Sequence, residues 1–408
     1  AFVPRTVMSN MYALADKNYS SKHKYYVDGS PIVMDIYAGG SWKTILVGGL
    51  NAGGRGYYAL DVTDPTAPRG LWEFCSDSIY CDVADENLGY SFGNPVIGKL
   101  PNGTWVVMVT SGYNNVTPGD GKGYLYILNA LTGALIRKVS TNVGDTTTPS
   151  GLSRINGWAD NGNADATITQ VYGGDLLGNV WRFNMSDYSV STLAQLRYGN
   201  TAQPITTKPE LGAVSGSSAH IVYVATGAYL GLTDLSTTGV QTIYALRDTG
   251  TAISNPRTNQ ITITKSGSTA TVSGTGVNGS WYADLPTTGE RVFVNPQLGL
   301  GTLVVASGIP SGDACSPGGD SWLYFFDYKT GRFTTAGTSA QGTYNSSGGL
   351  ITGVSLYTLP NGKLRYTTAT VGGSTTSPTG SAAASGEVSN NLNAGNPTRS
   401  SWREITTE

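Results

Sequence analysis

The chain has 408 residues, a formal net charge of −2, and only 13% charged residues against 39% hydrophobic ones. That near-neutral balance, with no Lys/Arg cluster, excludes a basic nucleic-acid surface, and no apolar run approaches the ~20 residues of a membrane-spanning helix. Glycine, at 55 residues, stands out, and with Ser, Thr, Asn and Tyr it gives the composition of turns and strands rather than helices.

Residues 1–24 form a leading segment. Its start, AFVPRTVMSN, lacks the order of a signal peptide and reads as a linker or strand. The chain is therefore expected to be the C-terminal part of a longer one. A short helix is expected around Asn10 to Asp16, and His23, in the polar stretch SSKHKYYVDG, reads as solvated. The stretch 25–39 is expected to supply a strand pair.

From there one segment type recurs: an aromatic strand, a small or acidic residue, then a turn. Its copies are GRGYYALDVTDP (54–65), GKGYLYILNALTG (121–133), GNVWRFNMSD (178–187), QTIYALRDTG (241–250) and SWLYFFDYKTG (321–331). Each follows a second apolar strand, as in WKTILVGGL (42–50) and TWVVMVTSGY (104–113). Small antiparallel sheets of this kind cannot bury both faces alone, and stacking them around an axis does so. The fold class expected is all-β, a single β-propeller domain over residues 1–408, seven-bladed with degenerate blades and inserted hairpins. The stretch 251–280 reads as one such hairpin, and 350–372 as a further hairpin turning at PNGK. Residues 373–396 are low-complexity and expected to be flexible.

Cys75 and Cys81 bracket SDSIY, a spacing that favours a local disulfide over two free thiols and so an oxidising compartment. Cys315, in DACSPGGD, is either free or paired outside this stretch of chain. With only His23 and His220 as histidines, no zinc spacing appears. His220 lies inside a strand and reads as structural. No nucleophile elbow or phosphate loop is present; GGRG at 53–56 precedes a strand, so it is a hairpin. No catalytic residue is assigned.

The stretch ADNGNADATIT (159–169) is the remaining chemical feature. Alternate positions give Asn161, Asn163, Asp165, Thr167 and Thr169, and Asp160 adjoins the first. Calcium takes six to eight oxygens, often from alternate positions of a short loop. The EF-hand pattern is excluded, because Ala166 and Tyr172 hold its sixth and twelfth positions. From the residues alone the stretch is either an Asx-rich turn or a carboxylate-poor cation loop.

The chain resembles the C-terminal propeller of the PilY/PilC family, tip-associated biogenesis factors and adhesins of bacterial type IV pili. The resemblance rests on HKYYVDGSP (23–31), WKTILVGGLNAGGRGYYALDVTDP (42–65), LGYSFGNPVIGKL (88–100), VYGGDLLGNVWRF (171–183), ATGAYLG (225–231), QTIYALRD (241–248), WYADLPTTGERV (281–292) and CSPGGDSWLYFFD (315–327). It implies a quinoprotein-like propeller that is not an enzyme, and calcium held by Asp160, Asn161, Asn163, Asp165, Thr167 and Thr169. Family loops carry an acidic residue where this chain has Thr169. The resemblance also implies a role in pilus assembly, twitching motility and surface adhesion, with calcium balancing extension against retraction. The implied partners are minor pilins, other pilus-assembly components and host or abiotic surface ligands; the implied location is the cell surface, at the pilus tip or outer membrane, after export through the periplasm. The integrin-binding Arg-Gly-Asp motif of some members is missing. Two alternatives remain at this point: a quinone-dependent dehydrogenase of the same shape, and a carbohydrate-binding propeller using some of the 24 Tyr and 8 Trp.

Overall fold

A computed structural model describes residues 2–160, 162, 165–214, 216–312, 317–334, 343–344, 349–360, 362–371 and 384–388. The described residues divide into two compact units, one running to Leu176 with Trp181–Ser191, the other comprising Leu177–Val180 and the described residues from Thr192.

The first unit opens with short helical turns, Arg5–Met8, Met11–Ala15 and Tyr19–Ser21. Its first sheet takes its strands in chain order: Ile32–Ala38, Ser41–Gly49, Gly56–Asp61, Arg69–Cys75 and Val83–Ala84. The expected strand pair over 25–39 is thus one strand, paired with Ser41–Gly49. The second sheet is Val96–Lys99, Trp105–Thr110, Tyr124–Asn129 and Leu135–Ser140, again in chain order. A third follows as Ile155–Trp158, Gln170–Gly174, Asn179–Asn184 and Val190–Gln195.

The second sheet shows why its inner strands read as unbroken apolar runs. Successive side chains of a strand point to opposite faces. Val107, Val109, Tyr126 and Leu128 pack with Ile45, Val47, Ala59 and Phe74 of the first sheet. Val106, Met108, Leu125 and Ile127 pack on the other side with Ile155, Val171 and Phe183. Both faces are covered, so neither tolerates polar residues.

The turns after the aromatic strands repeat one device. Asn129 Oδ1 accepts from the N–H groups of Leu131 and Thr132, both at 3.0 Å. Gly133, at φ +71°, lies so close to Trp72 that a Cβ there would meet the indole at 2.5 Å. Trp72 Nε1 in turn donates to the carbonyl of Ala130 at 3.0 Å. In the second unit Asp327 Oδ1 accepts from Thr330 N at 2.8 Å, and Trp281 Nε1 donates to the Tyr328 carbonyl at 3.3 Å. In both of these turns a side-chain carbonyl or carboxylate closes the turn, and a tryptophan from an adjacent sheet covers it.

The second unit stacks its sheets in the same way. One is Glu210–Ala213, His220–Ala225, Thr242–Asp248 and Trp281–Asp284. The next is built on Gln297–Gly299, Thr302–Gly312 and Pro317–Asp327 and carries the inserted hairpin Thr262–Ser266 and Thr269–Ser273. Leu303, Val305, Tyr324 and Phe326 pack against Tyr223, Ile243 and Trp281, while Val304, Ala306 and Phe325 face Ile351 and Leu364. The last sheet is Leu350–Thr358, Leu364–Val371 and Ala384–Val388. Ala384–Val388 falls inside the low-complexity stretch 373–396, whose other residues lie outside the described ones. Six sheets of three or more strands stand among the described residues, where seven blades are expected.

The disulfide between Cys75 and Cys81 is present. Cys315 lies outside the described residues.

Candidate functional site

The antiparallel pair Ile155–Trp158 and Gln170–Gly174 closes at Trp158 opposite Gln170, so residues 159–169 are the connection between two neighbouring strands. The exit leg of this connection is fixed by backbone. Lys99 N donates to the Ala166 carbonyl at 2.9 Å, and Ile168 N donates to the Lys99 carbonyl at 2.8 Å. Ile168 is buried, which anchors the leg. This places Thr167 directly beside Lys99, the last residue of Val96–Lys99.

Asp165 is half exposed, with 46% of its side chain open to solvent. Its Oδ1 lies in ion-pair contact with Lys99 Nζ, and its Oδ2 accepts from Thr167 Oγ1 at 2.8 Å. Oδ1 receives no aligned hydrogen bond among the described residues, so the ammonium holds it by charge. Lys99 first, then the Thr167 hydroxyl, holds the carboxyl below the usual carboxylate range. Asp160 Oδ1 accepts from Trp158 Nε1 at 2.8 Å. Thr169 donates its N–H to the Trp158 carbonyl at 2.9 Å, and its own carbonyl accepts from Met185 N at 3.0 Å, which leaves its hydroxyl as the more open oxygen. Beside it, Gln170 Oε1 is buried with no hydrogen-bond partner among the described residues. Asn161 and Asn163 lie outside the described residues.

The donors suit a hard cation in kind. Every candidate atom is oxygen, which favours calcium over zinc or copper. In charge the set is poor: Asp165 is the only carboxylate at an alternate position, and it is shared with an ammonium. Among the described residues no three His, Cys, Asp or Glu side chains gather at one place. By donor type the set would suit calcium, and Asp165, Thr167 and Thr169, with Asp160 alongside, are the described residues that would hold it; Lys99 stands against the same carboxylate. The Lys99 contact escapes sequence reading because it joins positions 66 apart through a strand end; nothing local to either residue signals it.

The two histidines stand as read. His220 lies within its strand opposite Asp248, and His23 is exposed, its ring edge-on to Tyr25 at 5.0 Å. Near the disulfide an open cleft of about 540 Å³ is lined by Lys24, Tyr25, Arg55, Asp77 and Tyr90. Arg55 spends its donors on the carbonyls of Thr117 and Asn114, at 2.7 and 2.8 Å. No described helix is long and apolar enough to cross a membrane.

A family model described as the PilY1 β-propeller domain matches residues 4–267. The type IV pilus biogenesis factor PilY1 of Pseudomonas aeruginosa is 32% identical over 410 aligned positions, covering 85% of this chain and 34% of that protein. A PilY1 homolog of Xylella fastidiosa is 32% identical over 374 positions, covering 81% of this chain and 24% of that protein. The chain therefore spans about a third of the first relative's length and a quarter of the second's. The crystal structure of the Pseudomonas aeruginosa PilY1 C-terminal domain is similar with a TM-score of 0.71 and 28% identity, covering 90% of this chain and 86% of that one.

Proposed function

The chain belongs to the PilY1 β-propeller family, and from that premise we propose that it is the propeller module of a non-enzymatic type IV pilus biogenesis factor. Its fold is the all-β propeller of that family. One observation carries the reading: the likeness to the PilY1 C-terminal domain spans 90% of the chain, far more than a shared motif. The relatives are named as biogenesis factors rather than enzymes. In this reading the module acts at the cell surface, on the pilus, through contacts with minor pilins and other assembly components. It supports twitching and surface adhesion. Calcium at the Asp165 loop adjusts the balance of extension and retraction by ordering a rim that partners read.

What the residues supply is a rigid platform and one adjustable edge. The stacked sheets fix the Lys99 strand end, and the loop exit is hydrogen-bonded to it. A cation at Asp165 would tie the loop to that fixed point, and any partner that reads the tied loop would bind calcium and module with reciprocal coupling. The dehydrogenase alternative gains no support from the disulfide, whose cysteines are six residues apart rather than adjacent.

The test is genetic. A strain whose factor lacks this module should lose surface pili and twitching zones, and re-expression of the full factor should restore both. Normal piliation and twitching without the module would overturn the assignment. Turnover of alcohols with an artificial electron acceptor by purified protein would favour the dehydrogenase.

A further inference from the structure

We propose that Lys99 is a built-in competitor for the calcium site: its ammonium occupies Asp165, and calcium binds only by displacing it. The inference rests on the calcium reading above and deepens it, because it names the residue that sets the affinity.

Four observations carry it. The contact is between Lys99 Nζ and Asp165 Oδ1, the same oxygen that lacks any aligned hydrogen bond among the described residues. Asp165 is also the only carboxylate at an alternate position of the loop, and the other loop carboxylate, Asp160, already accepts from Trp158 Nε1. Lys99 does not reach in by chance. Its backbone N–H and carbonyl hold both sides of Thr167, at 2.9 and 2.8 Å, so the base of the side chain is pinned beside the carboxylate. A tethered ammonium pinned in this way competes at a high effective concentration, whereas free calcium competes at its solution concentration. Finally, the displaced ammonium has somewhere to go. Lys99 and Trp105 are cross-strand partners, and Nζ already lies 5.9 Å from the centre of the Trp105 indole. The indole face is a favourable seat for a cation that has lost its carboxylate.

The charge balance follows. With Lys99 on Asp165 the pair is neutral. With calcium on Asp165, the displaced ammonium stays tethered close to a divalent ion, and their repulsion weakens binding. A site of this construction responds only at high calcium and releases it readily, which suits a rim that has to switch rather than a permanently filled structural site.

The experiment is calcium titration calorimetry on the intact chain and on four variants: Lys99→Met, Lys99→Arg, Asp165→Asn and Lys43→Met. Met keeps the apolar stem and removes the charge. Lys99→Met is expected to bind calcium roughly tenfold more tightly than the unaltered chain, from loss of a nearby like charge. Lys99→Arg, which keeps the charge, should stay near the unaltered affinity, and Asp165→Asn should abolish binding. Lys43→Met breaks a different lysine–aspartate pair, Lys43 with Asp61 at 3.0 Å, and should leave the affinity unchanged. Equal calcium affinity in the unaltered chain and Lys99→Met, with binding still lost in Asp165→Asn, overturns the role of Lys99 while leaving the calcium site standing. A tenfold gain in Lys43→Met as well overturns it too, because the effect would then be one of net charge. No binding heat in any of the five proteins overturns the calcium reading itself, and this proposal with it. Terbium luminescence sensitised by the nearby tryptophans gives an independent readout of occupancy on the same variants.

Discussion

Two aspartates in the first unit meet lysines in opposite settings. Asp61, at the end of Gly56–Asp61, has only 15% of its side chain exposed; Asp165 is half exposed. Asp61 Oδ1 accepts from Thr63 N at 3.0 Å and from Thr63 Oγ1, and Oδ2 meets Lys43 Nζ at 3.0 Å. Thr63 above all, with Lys43 assisting, lowers its pKa to about 2. An aspartate in the unfolded chain titrates near ~3.9. The folded form is thus the stronger acid, so the stabilisation is fully present above pH ~4 and drains away as pH falls through about 2. The difference amounts to about 2–3 kcal/mol. Asp61→Asn is expected to lower stability at neutral pH by up to that amount and to flatten its acid dependence between pH ~5 and ~2. Urea unfolding across that range measures both, and parallel pH profiles for variant and unaltered chain would refute the assignment to Asp61.

Among the larger elements, the inserted hairpin Thr262–Ser273 has the clearest docking logic. Ile263 and Ala270 are buried in the second unit's main apolar cluster. On the same face, Lys265 Nζ donates to Glu290 Oε2 at 2.6 Å and lies 4.2 Å from the Trp322 ring centre. Glu290 is 1% exposed, and its Oε1 accepts from Ser307 Oγ and from Tyr324 Oη at 2.7 Å. Burial lowers the Lys265 pKa, and Glu290 is what opposes that shift. Glu290→Gln removes the charge partner and leaves the ammonium among aromatic rings, for an expected loss of about 3 kcal/mol. Lys265→Met combined with Glu290→Gln should cost less than Glu290→Gln alone, because no uncompensated charge remains. Urea midpoints decide; a double variant weaker than the single one would mean the pair is held by geometry rather than by charge compensation.

The hairpin also shows what was legible in sequence. Its alternation, ITITKSGSTATVSG, announces two strands and a turn, and each outer strand announces itself by aromatics before an Asp or Asn turn. Period-2 patterning is a local signal where one face is open, and the two-sided burial of the stacked sheets replaces it with short unbroken apolar runs, which are local signals too. Lys265 and Lys99 were not legible. Each is an ordinary polar residue in its own strand, and its role comes from a carboxylate brought close by sheet stacking or by a strand end. The tryptophans over the turns were missed for the same reason: Trp72 covers Asn129–Gly133 from an adjacent sheet, 58 positions from the carbonyl it binds. In the candidate site the loop was legible from its alternating oxygens, and the competing ammonium was not.

At the scale of the whole molecule, the question is whether calcium at the proposed site would hold the fold or only tune its edge. Both units are built on apolar clusters drawn mainly from strands; the loop contributes only the Ile168 side chain, and none of its candidate oxygens takes part. The loop's exit is hydrogen-bonded to Lys99 by backbone without any metal. Ligand stabilisation grows only as RT ln(1 + [L]/Kd), about 1.4 kcal/mol at ten times Kd. For a chain of this length that is a shift of about 2 °C or less in Tm, since even 150–250 residues give ~2–4 °C per kcal/mol. Chelation should therefore leave the thermal transition almost in place. Hydrogen exchange should tell a different story locally: the amides of 165–169 should exchange faster with chelator than with calcium, and those of Val106–Val109 should not change. A collapse of the whole transition on chelation would make calcium a structural metal of the fold. Unchanged exchange at 165–169 would remove the loop from any switching role and leave the propeller as a rigid scaffold, whatever it binds.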